Sequence, residues 1–217
     1  VFPKIRPPKR RPQPVAVETF ERLLHKADEP NMRAFLLSGW LAGLRLNEAC
    51  ELQWDETSAA PYLDLARDRI VFPAGFVKAV EDQWVPLDRE LREAILALPQ
   101  RHGKVFRRKG RPCHPRIMQY RIGALAEAAR VKLTMRSLRR GFGCYWAARV
   151  SAQVLQKLMR HSSIALTMTY YANVDEAAMQ AILGRESLLR TTPRTSEAET
   201  PTDGGGANAA SPLIDKC

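Results

Sequence analysis

The chain is poor in cysteine, and the four it has, Cys50, Cys113, Cys144 and Cys217, are scattered without paired spacing. That pattern excludes a disulfide framework, and with only His114 beside any of them it offers no zinc-ligand spacing. A run of about 18 apolar residues is missing, and no apolar segment follows a charged start, so neither a membrane span nor a secretory leader is expected. Carboxylates are not clustered as magnesium ligands, and Gly141-Phe142-Gly143 lacks the third glycine of a phosphate-binding loop. The expectation is a cytoplasmic protein with no membrane partner, no metal and no nucleotide cofactor.

Basic charge without acid to balance it gathers in one stretch. Between Arg101 and Arg140 a single acidic residue, Glu127, stands against thirteen Lys or Arg, an excess of +12 beside +11 for the whole chain. The remainder is close to neutral, and the overall pI is near 9.9. So concentrated a charge repels itself unless a polyanion meets it, which points to a nucleic-acid face.

Proline and glycine mark the ends. Residues 1–15 carry Pro3, Pro7, Pro8, Pro12 and Pro14 among basic side chains and read as an extended linker, with a further domain expected upstream. Residues 189–217 are rich in Thr, Ser, Gly and Ala and read as a disordered tail. The folded domain is expected at 16–188. Its periodicity is mainly helical, around Phe20 to Leu24, around Phe35 to Leu41, and at 88–98, 115–129, 138–148, 151–160, 163–171 and 176–187. Ser137 and Ser151 stand where N-caps belong. Short β-rich runs at 62–65, 69–72 and 83–87 predict a small antiparallel sheet, giving an α+β, mainly helical class.

Several motifs fall in a fixed order. Gly43-Leu44-Arg45-Leu46-Asn47-Glu48 precedes Leu52-Gln53-Trp54-Asp55; Lys78 lies eight residues before Pro86 of Val85-Pro86-Leu87; then come Arg136-Ser137-Leu138-Arg139 and His161-Ser162-Ser163-Ile164, with Tyr170 nine residues after His161. The set resembles the tyrosine recombinases, the phage integrase family, over nearly all of residues 16–175. The resemblance implies two catalytic arginines at Arg45 and Arg139, a hairpin lysine at Lys78, a late histidine at His161, a nucleophile at Tyr170 and a supporting carboxylate at Glu48. It also implies double-stranded DNA as the partner, with four protomers around two duplexes in a synaptic complex, and leaves open mobile-element integration, excision and chromosome-dimer resolution. The segment 176–183 is a candidate for docking on a neighbour or on its own domain. Arg136 departs from the pattern, which usually has histidine or lysine there.

The chemistry can also be read from the residue types. Attack on a phosphodiester builds negative charge on oxygens that planar, permanently charged guanidiniums bind two at a time. A phenol, with a free pKa of about 10, is a weak nucleophile unless neighbouring cations favour its phenolate. Lys78 is the candidate acid for the leaving 5′-hydroxyl, and His161 a donor to a phosphate oxygen. Arg136 cannot be a general base, so it is expected to join the catalytic set by giving the phosphate a third positive contact, with water or His161 taking the proton from Tyr170. Tyr171 competes for the nucleophile role, but Ile164, Met168 and Tyr171 share a helix face by spacing, which predicts Tyr171 in the core and Tyr170 turned elsewhere. The expected function is site-specific recombination through a 3′-phosphotyrosine. The rivals are a DNA-binding relict without catalysis and a type IB topoisomerase-like nicking-closing enzyme.

Overall fold

The computed structural model describes residues 15–77, 79–171 and 174. The linker before residue 15, Lys78, the segment 176–183 and the tail from 189 lie outside the described residues.

Helix α1 (Val17–His25) leads to α2 (Pro30–Leu41), around which the domain is built. Pro30 occupies the first turn, where its missing N–H is not needed. Met32 and every residue from Ala34 to Gly39 are buried, so most of α2 is surrounded by protein, with Arg33 left on the exposed side. It packs against α3 (Leu46–Glu51), α5 (Arg89–Leu96) and α7 (Met135–Ala147). The first of these neighbours carries the Arg45 motif and the last carries Arg139, so one buried helix fixes two distant parts of the chain.

Strands β1 (Tyr62–Asp64), β2 (Arg69–Phe72) and β3 (Gln83–Pro86) form the expected antiparallel sheet, with β2 central. The register puts Leu63, Ile70 and Val85 side by side on the buried face. The connection from β2 to β3 is more than a turn, because it contains a short helix α4 (Ala74–Val77). A second, two-residue-per-strand hairpin of β4 (Arg107–Arg108) and β5 (Arg111–Pro112) lies within the basic stretch; the alternation there is too short to be read from sequence.

Helices α6 (Pro115–Ala128) and α8 (Ala152–Met159) fall close to their expected places, and Ser151 caps α8 through Val154 N. Helix α7 corrects the expected start. It begins at Met135, three residues earlier, capped by Thr134, and Ser137 is the third helical residue, answering Thr134 reciprocally. Residues 164–171 are helical, with Ser163 Oγ accepting from Ala165 N. A main core gathers Phe35, Phe72, Phe106 and the aliphatic residues around α2, while Phe142, Ala147, Leu155, Met159 and Tyr170 form a smaller second cluster.

Candidate active site

Arg45 is the residue before α3, and the turn that delivers it needs Gly43, whose φ is +59° and where a β-carbon would fall 2.6 Å from Phe142 Cδ1. Glu48, one turn into α3, reaches back to accept from Arg45 N at 2.7 Å and pairs through its other oxygen with Arg45 Nη1. The guanidinium of Arg45 is thereby held while its side chain stays 44% exposed.

Arg139, one turn into α7, is buried. Nη1 donates to the Gly43 carbonyl and Nη2 to the Met159 carbonyl, with Glu48 Oε2 3.9 Å from Nη1. Burial, then repulsion from Arg160 and Arg45, brings Arg139 down to about 9, which leaves it cationic at neutral pH. The Met159 carbonyl is free to accept because α8 ends there in a left-handed turn: Arg160 has φ 49° and ψ 49°, and His161 N donates back to Gln156 O at 3.1 Å.

That turn delivers His161. Its Nδ1 lies 3.0 Å from Thr167 Oγ1, and its ring centroid is 5.8 Å from that of Tyr170. Burial, with Arg139, Arg45 and Arg160 adding repulsion, holds the imidazole down at about 4, so it is neutral at physiological pH. Burial also pushes the Tyr170 phenol above its ordinary value, against the pull of Arg139.

Arg45, Arg136, Arg139, His161 and Tyr170 all line one open cleft of about 1500 Å³, walled also by Phe76, Val77, Ala79 and Gln83 of the hairpin and by Gln119, Ile122 and Gly123 of α6. Arg136 and Arg140 are exposed on this wall, and Arg136 has no hydrogen bond or ion pair among the described residues. Lys78 lies outside the described residues; its neighbours Val77 and Ala79 face the cleft.

The expected placement of the two tyrosines is corrected. Tyr170 is the more enclosed, 8% exposed in the second cluster, while Ile164 and Met168, expected in the core, are 41% and 48% exposed. Thr167 and Tyr170 form the buried face of helix 164–171 instead. Tyr171 is half-buried, and its hydroxyl donates to the Val150 carbonyl.

Arg160 was not singled out by sequence reasoning. Its side chain is 1% exposed and pairs with Glu48 Oε2 at 2.7 Å. The one sequence signal was a non-glycine immediately before His161, at a helix end that requires a left-handed turn. Glu48 therefore serves three guanidiniums. Burial raises its carboxyl, but the charge and hydrogen bond of Arg160, then the charges of Arg45 and Arg139, outweigh burial and hold it at about 2.

A cleft of cations beside a tyrosine can hold an anionic ester. The Phage integrase family matches residues 15–177, and the chain belongs to that family. Among solved structures it is similar to XerA recombinase (TM-score 0.62, 21% identity, over 81% of this chain and 66% of that one). It is similar also to the catalytic domain of bacteriophage HP1 integrase (TM-score 0.57, 20% identity, 79% of this chain and 94% of that one). A third is the integrase from mycobacterium phage Brujita (TM-score 0.59, 22% identity, 89% of this chain and 64% of that one). The chain thus spans about two thirds of the length of XerA recombinase and nearly all of the HP1 catalytic domain. Among curated proteins none matches.

Proposed function

We propose that this chain is the catalytic domain of a site-specific DNA recombinase or integrase that cuts and rejoins strands through a covalent 3′-phosphotyrosine on Tyr170. The observation that carries the reading is the convergence of Arg45, Arg139, His161 and Tyr170, remote in sequence, on one cleft.

In this reading the scissile phosphate lies against the guanidiniums of Arg45 and Arg139, which stabilise the charge that grows as the phenolic oxygen attacks phosphorus. Tyr170 gives up its proton to water or to the neutral His161 as the O–P bond forms. The bond from phosphorus to the 5′-oxygen breaks, and Lys78 donates the proton that makes a 5′-hydroxyl of the leaving group. The ester bond is exchanged for another ester bond, so reversal by a 5′-hydroxyl rejoins the strand without nucleotide hydrolysis. Arg136, on the exposed wall, adds positive charge toward the DNA backbone and does not move protons.

Support for a duplex partner comes from the basic stretch 101–140, and from relatives described as bound to DNA, such as XerH recombinase with its difH substrate and Tn1549 transposon integrase with circular intermediate DNA. Assembly of four copies on two duplexes follows as part of the proposal, as do the linker at 1–15, the domain at 16–188 and the tail at 189–217.

A nicked suicide substrate, from which the 5′-hydroxyl strand diffuses away, tests it. Wild type and Tyr171→Phe are expected to accumulate a covalent adduct, in EDTA as without it, and mass spectrometry is expected to place the DNA on Tyr170. Tyr170→Phe is expected to give none. Salt-sensitive DNA binding with no adduct on wild type would transfer the chain to the non-catalytic reading. Supercoil relaxation without exchange between two sites would transfer it to the nicking-closing one.

A further inference from the structure

Arg160 is an odd residue for its position. A left-handed turn costs an L side chain conformational energy that glycine avoids, yet an arginine is held there, φ 49°, with its guanidinium inside the protein. Its contacts explain what holds it. Nη2 donates to Glu48 Oε2 at 2.7 Å and to the Gly43 carbonyl at 3.0 Å, Nη1 donates to the Leu158 carbonyl at 2.8 Å, and the guanidinium carbon lies 4.2 Å from the centroid of the Phe72 ring. Its own carbonyl accepts from Arg45 Nη2 at 3.0 Å, and the carbonyl just before it accepts from Arg139. Gly43, whose carbonyl it shares with Arg139, begins the turn that delivers Arg45.

The charges decide what this arrangement does. Glu48 is 3% exposed, and a buried carboxylate must be paired. Paired only with Arg45 and Arg139, it would cancel half of the positive charge those two present to an anion. With Arg160 beneath it, the carboxylate is neutralised from the protein side, and the two outer guanidiniums keep a combined charge of about +2 against a phosphate that moves from −1 toward −2 during attack.

We propose that Arg160 is a positioning residue of the strand-cleavage site: it pairs with Glu48 beneath the cleft, so that Arg45 and Arg139 meet the phosphate fixed in place and with their charge undiminished. The inference rests on the phosphotyrosyl reading above.

Arg160→Gly is the first test, because glycine keeps the left-handed turn while removing the guanidinium. Single-turnover cleavage of the suicide substrate is expected to slow by roughly 10- to 100-fold, the scale on which supporting partners act at other sites, with DNA affinity unchanged. Unchanged cleavage overturns the proposal. In the double variant with Glu48→Gln the losses are expected to be strongly non-additive, since each removes half of one pair; additive losses overturn the pairing. A readout independent of catalysis is the NMR titration of His161, which faces Arg139, Arg45, Arg160, Thr167 and Tyr170. Losing Arg160 is expected to move its midpoint upward, and an unmoved midpoint overturns the proposal. Should Arg160→Gly not fold, Arg160→Lys and Arg160→Met are compared: cleavage near wild type in the lysine variant alone supports the role of the charge, and equal rates in the two overturn it. Wild type that forms no adduct defeats the phosphotyrosyl reading, while the His161 titration still judges the Arg160–Glu48 pair.

Discussion

The ring of Tyr170 lies against Gly143 of α7 so closely that a β-carbon on the glycine would fall 2.4 Å from Tyr170 Cε1 and 3.1 Å from Met159 Cε. Glycine inside a helix is a weak helix former, so the residue is there for the space it leaves. The space is a slot on α7, one turn beyond Arg139, and it seats the phenol beside the arginine cluster.

Gly143→Ala separates the two effects. Alanine gains about 1 kcal/mol of helix propensity, and the clash costs about 1–3 kcal/mol if the ring does not move. The net effect on stability is expected to be a loss of about 1 kcal/mol, read as a thermal midpoint lower by a few degrees. Cleavage is expected to fall much further, on the order of 100-fold, because a displacement of about 1 Å at a reacting atom has that consequence. DNA affinity is expected to stay as it was. A variant that forms the tyrosyl adduct at the wild-type rate would show that the slot does not set the position of the nucleophile.

The same contact shows where sequence reasoning reached its limit. Apolar spacing on helix 164–171 selected Ile164, Met168 and Tyr171 as the inward face, but the helix buries Thr167 and Tyr170. The surface it packs on is not a uniformly apolar one: Gly143 leaves a hollow for a ring, and His161 offers Thr167 a polar partner. Which face of a short helix is buried is settled by such neighbours, and they are distant in sequence. The role of Arg160 escaped for the same reason, because its meaning depends on Glu48, 112 residues away. What was legible was periodic or local. The buried α2, the sheet at 62–86 and the cap at Ser151 are written in spacing and in single residue types. The convergence of Arg45, Arg139, His161 and Tyr170 was anticipated only through motif order, since no local property marks one arginine in a basic chain above another. The start of α7 was missed because Thr134 and Ser137 are both good caps, and the choice between them rests on a reciprocal bond that needs both.

His161 ties stability to pH. Burial first, and then Arg139, Arg45 and Arg160, hold its folded-state value at about 4, below the 6.5 of a free imidazole. Between those values the unfolded chain binds a proton that the folded chain refuses, so this contribution is complete above about pH 6.5 and is lost as the pH falls toward 4. With the imidazole only half-buried, the loss is expected to be about 1–2 kcal/mol after allowing for solvent screening. Urea unfolding of wild type at pH 7, 6, 5 and 4.5 is expected to show midpoints falling through that window. His161→Gln, which has nothing to titrate, is expected to flatten the fall, and identical pH dependence in the two proteins would mean that other groups carry it. Glu48, held at about 2 against 4.5, acts lower: its contribution is lost only as the pH drops from 4.5 toward 2.

Arg136 and Arg139 are three residues apart on one helix and line the same cleft, yet their surroundings differ, and different work is expected of them. Arg139 is buried and donates to two backbone carbonyls, so its position is fixed; Arg136 is exposed, with no partner among the described residues. An exposed cation contributes to DNA binding as one more neutralised phosphate. Arg136→Ala is therefore expected to weaken binding to any sequence and to reduce the slope of log K against log salt by about 1. At saturating DNA it is expected to cleave within about 10-fold of wild type, whereas Arg139→Ala, which removes a fixed donor to the developing charge, is expected to lose about 100- to 1000-fold. Binding titrations at several salt concentrations, followed by single-turnover cleavage, measure both. If Arg136→Ala instead binds normally and fails to cut, the exposed arginine reaches the scissile phosphate in the DNA complex, and its role is catalytic.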